Sequence, residues 1–239
     1  GTSDNLYNSA VANTLDANIG SANYDIGHLM GGIGNNGSAG CIGCVCSSGS
    51  LSSGTHKGSG FTTSVEPSGI RFDIDFVAHE MGHQFGANHT FTHRPEGGIA
   101  QMEPGSGSTI MGYAGITGAT DVQQNSDPYF HAISIQQVTS FVKNFATCAV
   151  TTNTGNTTPL ASAGADLTLP VGTAFRLTGT GSDANGDMIT YCWEQFDENN
   201  GATPYPNPNS SNSNTPIFRS YLPTINPIRT FPEFESLLT

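Results

Sequence analysis

Apolar residues fall about four apart at the start of the chain, at Leu6, Val11, Leu15 and Ile19, and this spacing predicts a helix over Asn5–Ile19 with Gly20 as its C-terminal stop. The pattern then changes. "NYDIGHLMGG" reads as a short apolar strand, and Gly31 to Gly60 is so rich in Gly, Ser and Cys that "CIGCVC" is its only candidate strand. Helical spacing returns in "FDIDFVAHEMGHQFG", where Phe76, Val77, Met81 and Phe85 lie near one stripe, Asp73 or Asp75 is placed to cap the start, and Gly86 ends it. Thr90 to Asp127 has the turn chemistry of a loop. From Pro128 to Phe145 helical spacing recurs through Ile133, Ile135, Val138, Phe141, Val142 and Phe145, with Ser126 or Asp127 as N-cap and Pro128 in the first helical position.

The uncharged stretch "TTNTGNTTPLASAG" has no helical spacing and separates two units: residues 1–150, a linker at 151–158, and residues 159–239. Beyond it, short runs of alternating apolar and polar residues divided by Gly, Pro and Asn-Gly predict antiparallel strands and an all-β module. "DANGD" (Asp183–Asp187) imitates the start of a calcium loop, with Glu194 at the twelfth place, but Met188 stands where a glycine is needed, so a hairpin turn is preferred. "TPYPNPNSSNSNTP" reads as a long polar loop. Too few strands follow to close a sandwich, and the chain ends in "EFESLLT", so the expectation is a fragment cut at both ends.

Composition narrows the partners. Seven Lys and Arg stand against 19 Asp and Glu, and a formal charge of -12 would repel nucleic acid and anionic membranes. No apolar run is long enough to span a bilayer. A surface rich in neutral polar residues, with only 11% charged, suits a secreted protein, in which disulfides are expected. Calcium is a further expected ion, because Asp residues cluster in Gly- and Asn-rich loops such as "GATDVQQNSDP".

The chemistry concentrates in "VAHEMGHQFGANH". His79 and His83, four apart, stack on one helix face at the separation two ligands of one ion require, and Glu80 lies about 100° around the helix, within reach of a water on that ion. Gly86 permits the positive φ that swings His89 back as a third ligand. Three neutral imidazoles with one open position suit catalytic zinc, and Glu80 suits the general base of peptide hydrolysis. His28, His56, His93 and His131 lack ligand spacing to one another and read as structural.

His79, Glu80, His83, Gly86 and His89 match in full the H-E-x-x-H-x-x-G-x-x-H pattern of the metzincin metallopeptidases, which the chain resembles from about Leu6 to Cys148. The resemblance implies an α+β catalytic domain: a mixed twisted sheet with an edge strand, an active-site helix and a C-terminal helix. It also implies a methionine turn beneath the metal, supplied by Met111 in "STIMGYAG". Tyr113 stands where astacin-like and serralysin-like branches carry a tyrosine, which can donate to the oxyanion of the intermediate. "GSAGCIGCVC" and the late cysteine look more like the reprolysin or adamalysin branch, although Thr90 replaces that branch's acidic residue. In the resemblance, Cys41, Ile42, Gly43, Cys44 and Val45 correspond to the edge strand that holds extended substrate, and Cys46 pairs with Cys148. Cys41 and Cys44 can bridge locally or find Cys192. The second module resembles immunoglobulin-like PKD repeats, with Trp193 in its core. The expectation is a secreted, monomeric zinc endopeptidase acting on protein or peptide. A non-catalytic adhesin that keeps the zinc site is the rival.

Overall fold

A computed structural model describes residues 4–50, 55–97, 99–199 and 215–232. The chain opens with helix α1 (Asp4–Asn18), which presents Asn8 and Ala12 inward and leaves Leu6 and Ile19 exposed, so the apolar stripe expected there is only partly buried. Strands β1 (His28–Gly31), β2 (Asn35–Ser38) and β3 (Gly60–Ser64) form one sheet in the order β1-β3-β2, with β1 parallel and β2 antiparallel to β3. The middle strand is buried along its whole length, and Phe61, its second residue, packs against Tyr7 of α1 at 5.2 Å between ring centroids. The strand order leaves β1 and β2 as the two edges.

The expected strand at Cys41–Val45 is not formed. A disulfide between Cys41 and Cys44 closes a four-residue loop, and Gly40, Gly43 and Cys46 all take positive φ (71°, 72° and 69°), which no extended strand can accommodate. The segment instead crosses the end of the helix that carries His79 and His83. Gly43 N–H donates to the His83 carbonyl, and Cys44 and Val45 N–H to that of Gln84, at 2.9, 3.0 and 3.3 Å, satisfying carbonyls that a helix C-terminus leaves without partners.

The helix that carries His79 and His83 begins earlier than its aspartates suggest. Helical turns start at α2 (Gly69–Arg71), widen to i→i+5 spacing over Phe72–Ala78, and tighten again in α3 (His79–Gln84). Asp73 and Asp75 therefore lie inside the helix, where Asp75 accepts from the Ser126 N–H at 2.8 Å rather than capping. The buried face carries Phe72, His79, Gly82, His83 and Gln84, while Phe76, Val77, Met81 and Phe85 are only half-buried. Gln84, fully buried, keys the helix to the sheet: its Nε2 donates to the Gly27 carbonyl at 3.0 Å and its Oε1 lies 2.8 Å from His28 Nδ1.

The last helix of this half is α4 (Ala132–Asn144), shorter than expected because His131, not Ser126 or Asp127, is its N-cap and accepts from Ile133 N–H. Of its expected apolar face, Ile133 is buried and Val138 joins the core of Ala87, Ile110 and Met111, while Ile135 and Phe145 are exposed. A disulfide from Cys46 to Cys148 ties the end of this helical region to the cysteine loop, and Cys192 is free.

Further on, β4 (Leu160–Ser162) pairs antiparallel with β6 (Thr180–Ser182), and β5 (Phe175–Thr178) with β7 (Ile228–Phe231). Trp193 is half-buried and its Nε1 donates to the Pro227 carbonyl at 2.9 Å. This region touches the first half directly: Glu194 accepts from Ala132 N–H at 2.6 Å, at the start of α4, and Ser108 Oγ donates to the Ser220 carbonyl at 3.2 Å. The expected polar loop lies, up to its last two residues, outside the described residues, as does "EFESLLT". Among the described residues no helix is long and apolar enough to cross a membrane.

Candidate metal centre

His79 and His83 open and close one turn of α3, and the turn after it brings His89 to them. Gly86 has φ 97°, its N–H donates to the His83 carbonyl at 2.8 Å, and Ala87 N–H donates to that of Gly82 at 2.9 Å, the paired bonds of a Schellman stop. Asn88 N–H then anchors to Gln137 Oε1 of α4 at 2.9 Å, fixing the approach of His89.

The outer nitrogen of each ring fixes its tautomer. His79 Nδ1 lies 2.7 Å from the Ile110 carbonyl, His83 Nδ1 2.7 Å from the Ala87 carbonyl, and His89 Nδ1 2.6 Å from Glu96 Oε2. These oxygens only accept, so each Nδ1 carries the proton. Burial holds all three imidazoles below their ordinary range, with repulsion from neighbouring rings adding to it at His79, which lies far below, and at His89, at about 3. They are neutral at neutral pH. Their three Nε2 lone pairs consequently face one another at 3.0, 3.2 and 3.2 Å. Three acceptors held this close repel unless a cation lies between them, and ligands about 2.0–2.1 Å from a tetrahedral zinc sit roughly 3.4 Å apart. The donor set fits zinc.

Met111 is fully buried beneath the helix, so close that a Cβ on Gly82 would lie 2.5 Å from its Sδ. Thr90 N–H donates to the Met111 carbonyl at 3.1 Å, joining the loop after the third histidine to the methionine turn. Tyr113 packs beside the histidines, with ring centroids 4.5 Å from His89 and 5.5 Å from His79. Burial, reinforced by the charges of Glu96 and Glu80, raises its phenol to about 12, so it stays protonated. Glu80 is half-buried under the edge strand: burial pushes its carboxyl up to about 7 against the pull of a hydrogen bond from Ala39 N–H. A Cβ on Gly37 of β2 would lie 2.6 Å from Glu80 Oε1.

A cleft of about 470 Å³ opens along this site, lined by Glu80, His83, His89 and Tyr113 on one side and by Gly37–Ile42 with Asn8, Ser9, His56 and Ser59 on the other. Of the expected edge-strand residues only Cys41 and Ile42 reach the cleft, as part of the cysteine loop. Gly37, Gly82, Glu96 and Glu103 escaped the sequence reading. A glycine inside H-E-M-G-H was the available signal for Gly82; Gly37 is set by a long-range approach to Glu80, and Glu96 and Glu103 by hydrogen bonds within folded loops, which follow no helix or strand period.

Among the described residues, His79, His83 and His89 are the only group of three or more His, Cys, Asp or Glu that converges as a metal site. The Asp-bearing loop expected to suit calcium, and the calcium-like Asp183–Asp187 turn, are both closed on themselves. Asp183 Oδ1 accepts from Asn185 and Asp187 N–H, and the Asp121 carboxylate accepts from the N–H groups of Gly115, Thr117 and Gly118.

No curated protein and no solved structure matches the chain. The sequence model of the metallo-peptidase family M12B, reprolysin-like, matches residues 2–141, a span that contains the three histidines, Glu80 and Met111, and the chain belongs to that zinc-dependent family.

Proposed function

We propose that the chain is a secreted zinc endopeptidase of the metzincin type, cleaving protein or peptide substrates as a monomer. The observation that carries this reading is the convergence of three unprotonated Nε2 atoms beside a half-buried carboxylate in an open cleft. His79, His83 and His89 would hold the ion, which supplies Lewis acidity that acidifies water and polarises a scissile carbonyl. Gly86 sets the turn to the third ligand, and Met111 forms the floor under the rings.

Glu80 is the general base. With its carboxyl near 7, it takes a proton from the water whose oxygen attacks the carbonyl carbon, then returns it to the amide nitrogen as the C–N bond breaks. The protonated Tyr113 phenol donates to the developing oxyanion. The edge strand β2, rather than Cys41–Val45, holds the substrate backbone antiparallel across the cleft, since an edge strand offers main-chain donors and acceptors in register.

Residues 1–150 form the catalytic unit in this reading, 151–158 the linker, and 159–239 a sandwich-type module of the PKD or immunoglobulin kind that spaces or attaches the enzyme. Two disulfides favour an oxidising, extracellular setting. Casein incubated with the wild-type chain, with and without a chelator, tests the activity. Cleavage abolished by the chelator is expected, and Glu80→Gln should keep its zinc while turnover falls about 10²- to 10⁴-fold. Zinc binding without any cleavage would identify a binding protein instead, and unchanged turnover in Glu80→Gln would remove the carboxylate from the mechanism.

A further inference from the structure

The three histidines differ in what holds them from behind. His79 and His83 rest on neutral main-chain carbonyls, but His89 rests on a carboxylate, Glu96 Oε2, at 2.6 Å. Glu96 also meets Arg94, and a pair of surface charges two residues apart would by itself contribute little. The division of the carboxylate says more. Arg94 Nε and Nη2 both donate to Oε1, at 3.2 and 2.8 Å, which among the described residues leaves Oε2 to His89.

The backbone beneath Glu96 is also fixed. Glu96 N–H donates to Gln101 Oε1 at 3.0 Å, and Gln101, fully buried, gives its Nε2 to the carbonyls of Phe91 and Arg94 at 2.9 and 2.7 Å. One buried amide thus closes the loop from Phe91 to Glu96. The Arg94 guanidinium lies over the rings of Phe91 and Tyr113, 5.6 and 5.9 Å from their centroids, and the His89 ring stacks on Phe91 at 4.7 Å. The carboxylate is therefore held from both sides at the one place where it meets the ligand.

We infer that Glu96 is a positioning residue for the third zinc ligand. Its carboxylate takes the His89 Nδ1 proton in a hydrogen bond, fixes the tautomer that turns Nε2 toward the ion, and strengthens that nitrogen as a donor; Gln101 and Arg94 hold the carboxylate in register. The inference rests on the zinc reading above. Outer carboxylate partners of this kind are worth about 10- to 100-fold in metal affinity.

The test is zinc affinity, measured by competition with a chromophoric chelator, on wild type, Glu96→Ala, Glu96→Gln and Arg94→Ala, with the cobalt-substituted absorption spectrum and the melting temperature of each metal-free protein alongside. Glu96→Ala should bind zinc about 10- to 100-fold more weakly and shift the cobalt bands, while its metal-free form melts like the wild type, because Glu96 is a quarter exposed. Glu96→Gln, which keeps an acceptor without the charge, should fall between, and Arg94→Ala should lose less than Glu96→Ala. Zinc affinity in Glu96→Ala within twofold of wild type would overturn the inference and leave the zinc site standing. So would a collapse of the metal-free melting temperature, which would make Glu96 merely structural. A wild-type chain that binds no zinc would overturn both readings.

Discussion

Glu103 is 1% exposed and has five hydrogen-bond donors around its carboxylate. Oε1 accepts from Ser108 N–H and Thr109 N–H at 2.9 and 3.2 Å and shares the single Ser108 hydroxyl proton with the Ser220 carbonyl, each 3.2 Å from Oγ, while Oε2 accepts from the hydroxyls of Thr90 and Thr109, both at 2.5 Å. One side chain thereby joins the residue after His89 to the residues before Ile110, whose carbonyl orients His79. Glu103→Ala would strand two immobile backbone N–H groups, at about 1–3 kcal/mol each, and open a cavity, for a loss of roughly 4 kcal/mol. Glu103→Gln can point its oxygen at those two N–H groups and its amide at the rotatable hydroxyls, so its loss should be about 1–2 kcal/mol. At about 2–4 °C per kcal/mol for a chain of this size, Ala should melt roughly 8–16 °C lower and Gln roughly 2–8 °C lower in thermal unfolding followed by circular dichroism. An Ala variant within about 3 °C of wild type, or a Gln variant as damaged as Ala, would refute the idea that the stranded N–H groups set the loss.

Two further outcomes follow from close approaches elsewhere. Gly37→Ala sets a Cβ 2.6 Å from Glu80 Oε1, so peptide turnover should fall about 10²-fold with zinc content unchanged, and wild-type turnover would show that Glu80 is not held against the edge strand. Burial raises the Glu194 carboxyl above its ordinary 4.5, against the pull of His131 and the Ala132 N–H, so the folded state binds that proton more tightly than the unfolded chain. Its favourable contribution is complete below 4.5 and is lost as pH rises through the folded value; the melting temperature of Glu194→Gln relative to wild type should therefore climb as pH rises above 4.5, and a flat difference would contradict this sign.

The metal ligands were legible because their spacing is local: one helical turn sets His79 against His83, and a glycine with positive φ returns the chain to His89. The edge strand was not. Asn35–Ser38 contains no β-branched or aromatic residue, and it is a strand because the buried β3 beside it requires a hydrogen-bonding partner. "CIGCVC" has the strand-like alternation but is bent by its own disulfide. Asp73 and Asp75 have the chemistry of caps, yet the helix starts before them at Gly69 and one of them is taken by the Ser126 N–H. The contacts of Glu96, Glu103 and Glu194 are tertiary, and no period in the sequence announces them.

The central claim is that three imidazoles converge on one zinc ion. An anomalous difference map collected on either side of the zinc absorption edge tests it directly. The account predicts a single strong peak within about 2.0–2.1 Å of Nε2 of His79, His83 and His89, present above the edge and lost below it. No peak there in zinc-soaked crystals, or an ion held by other residues, would contradict it.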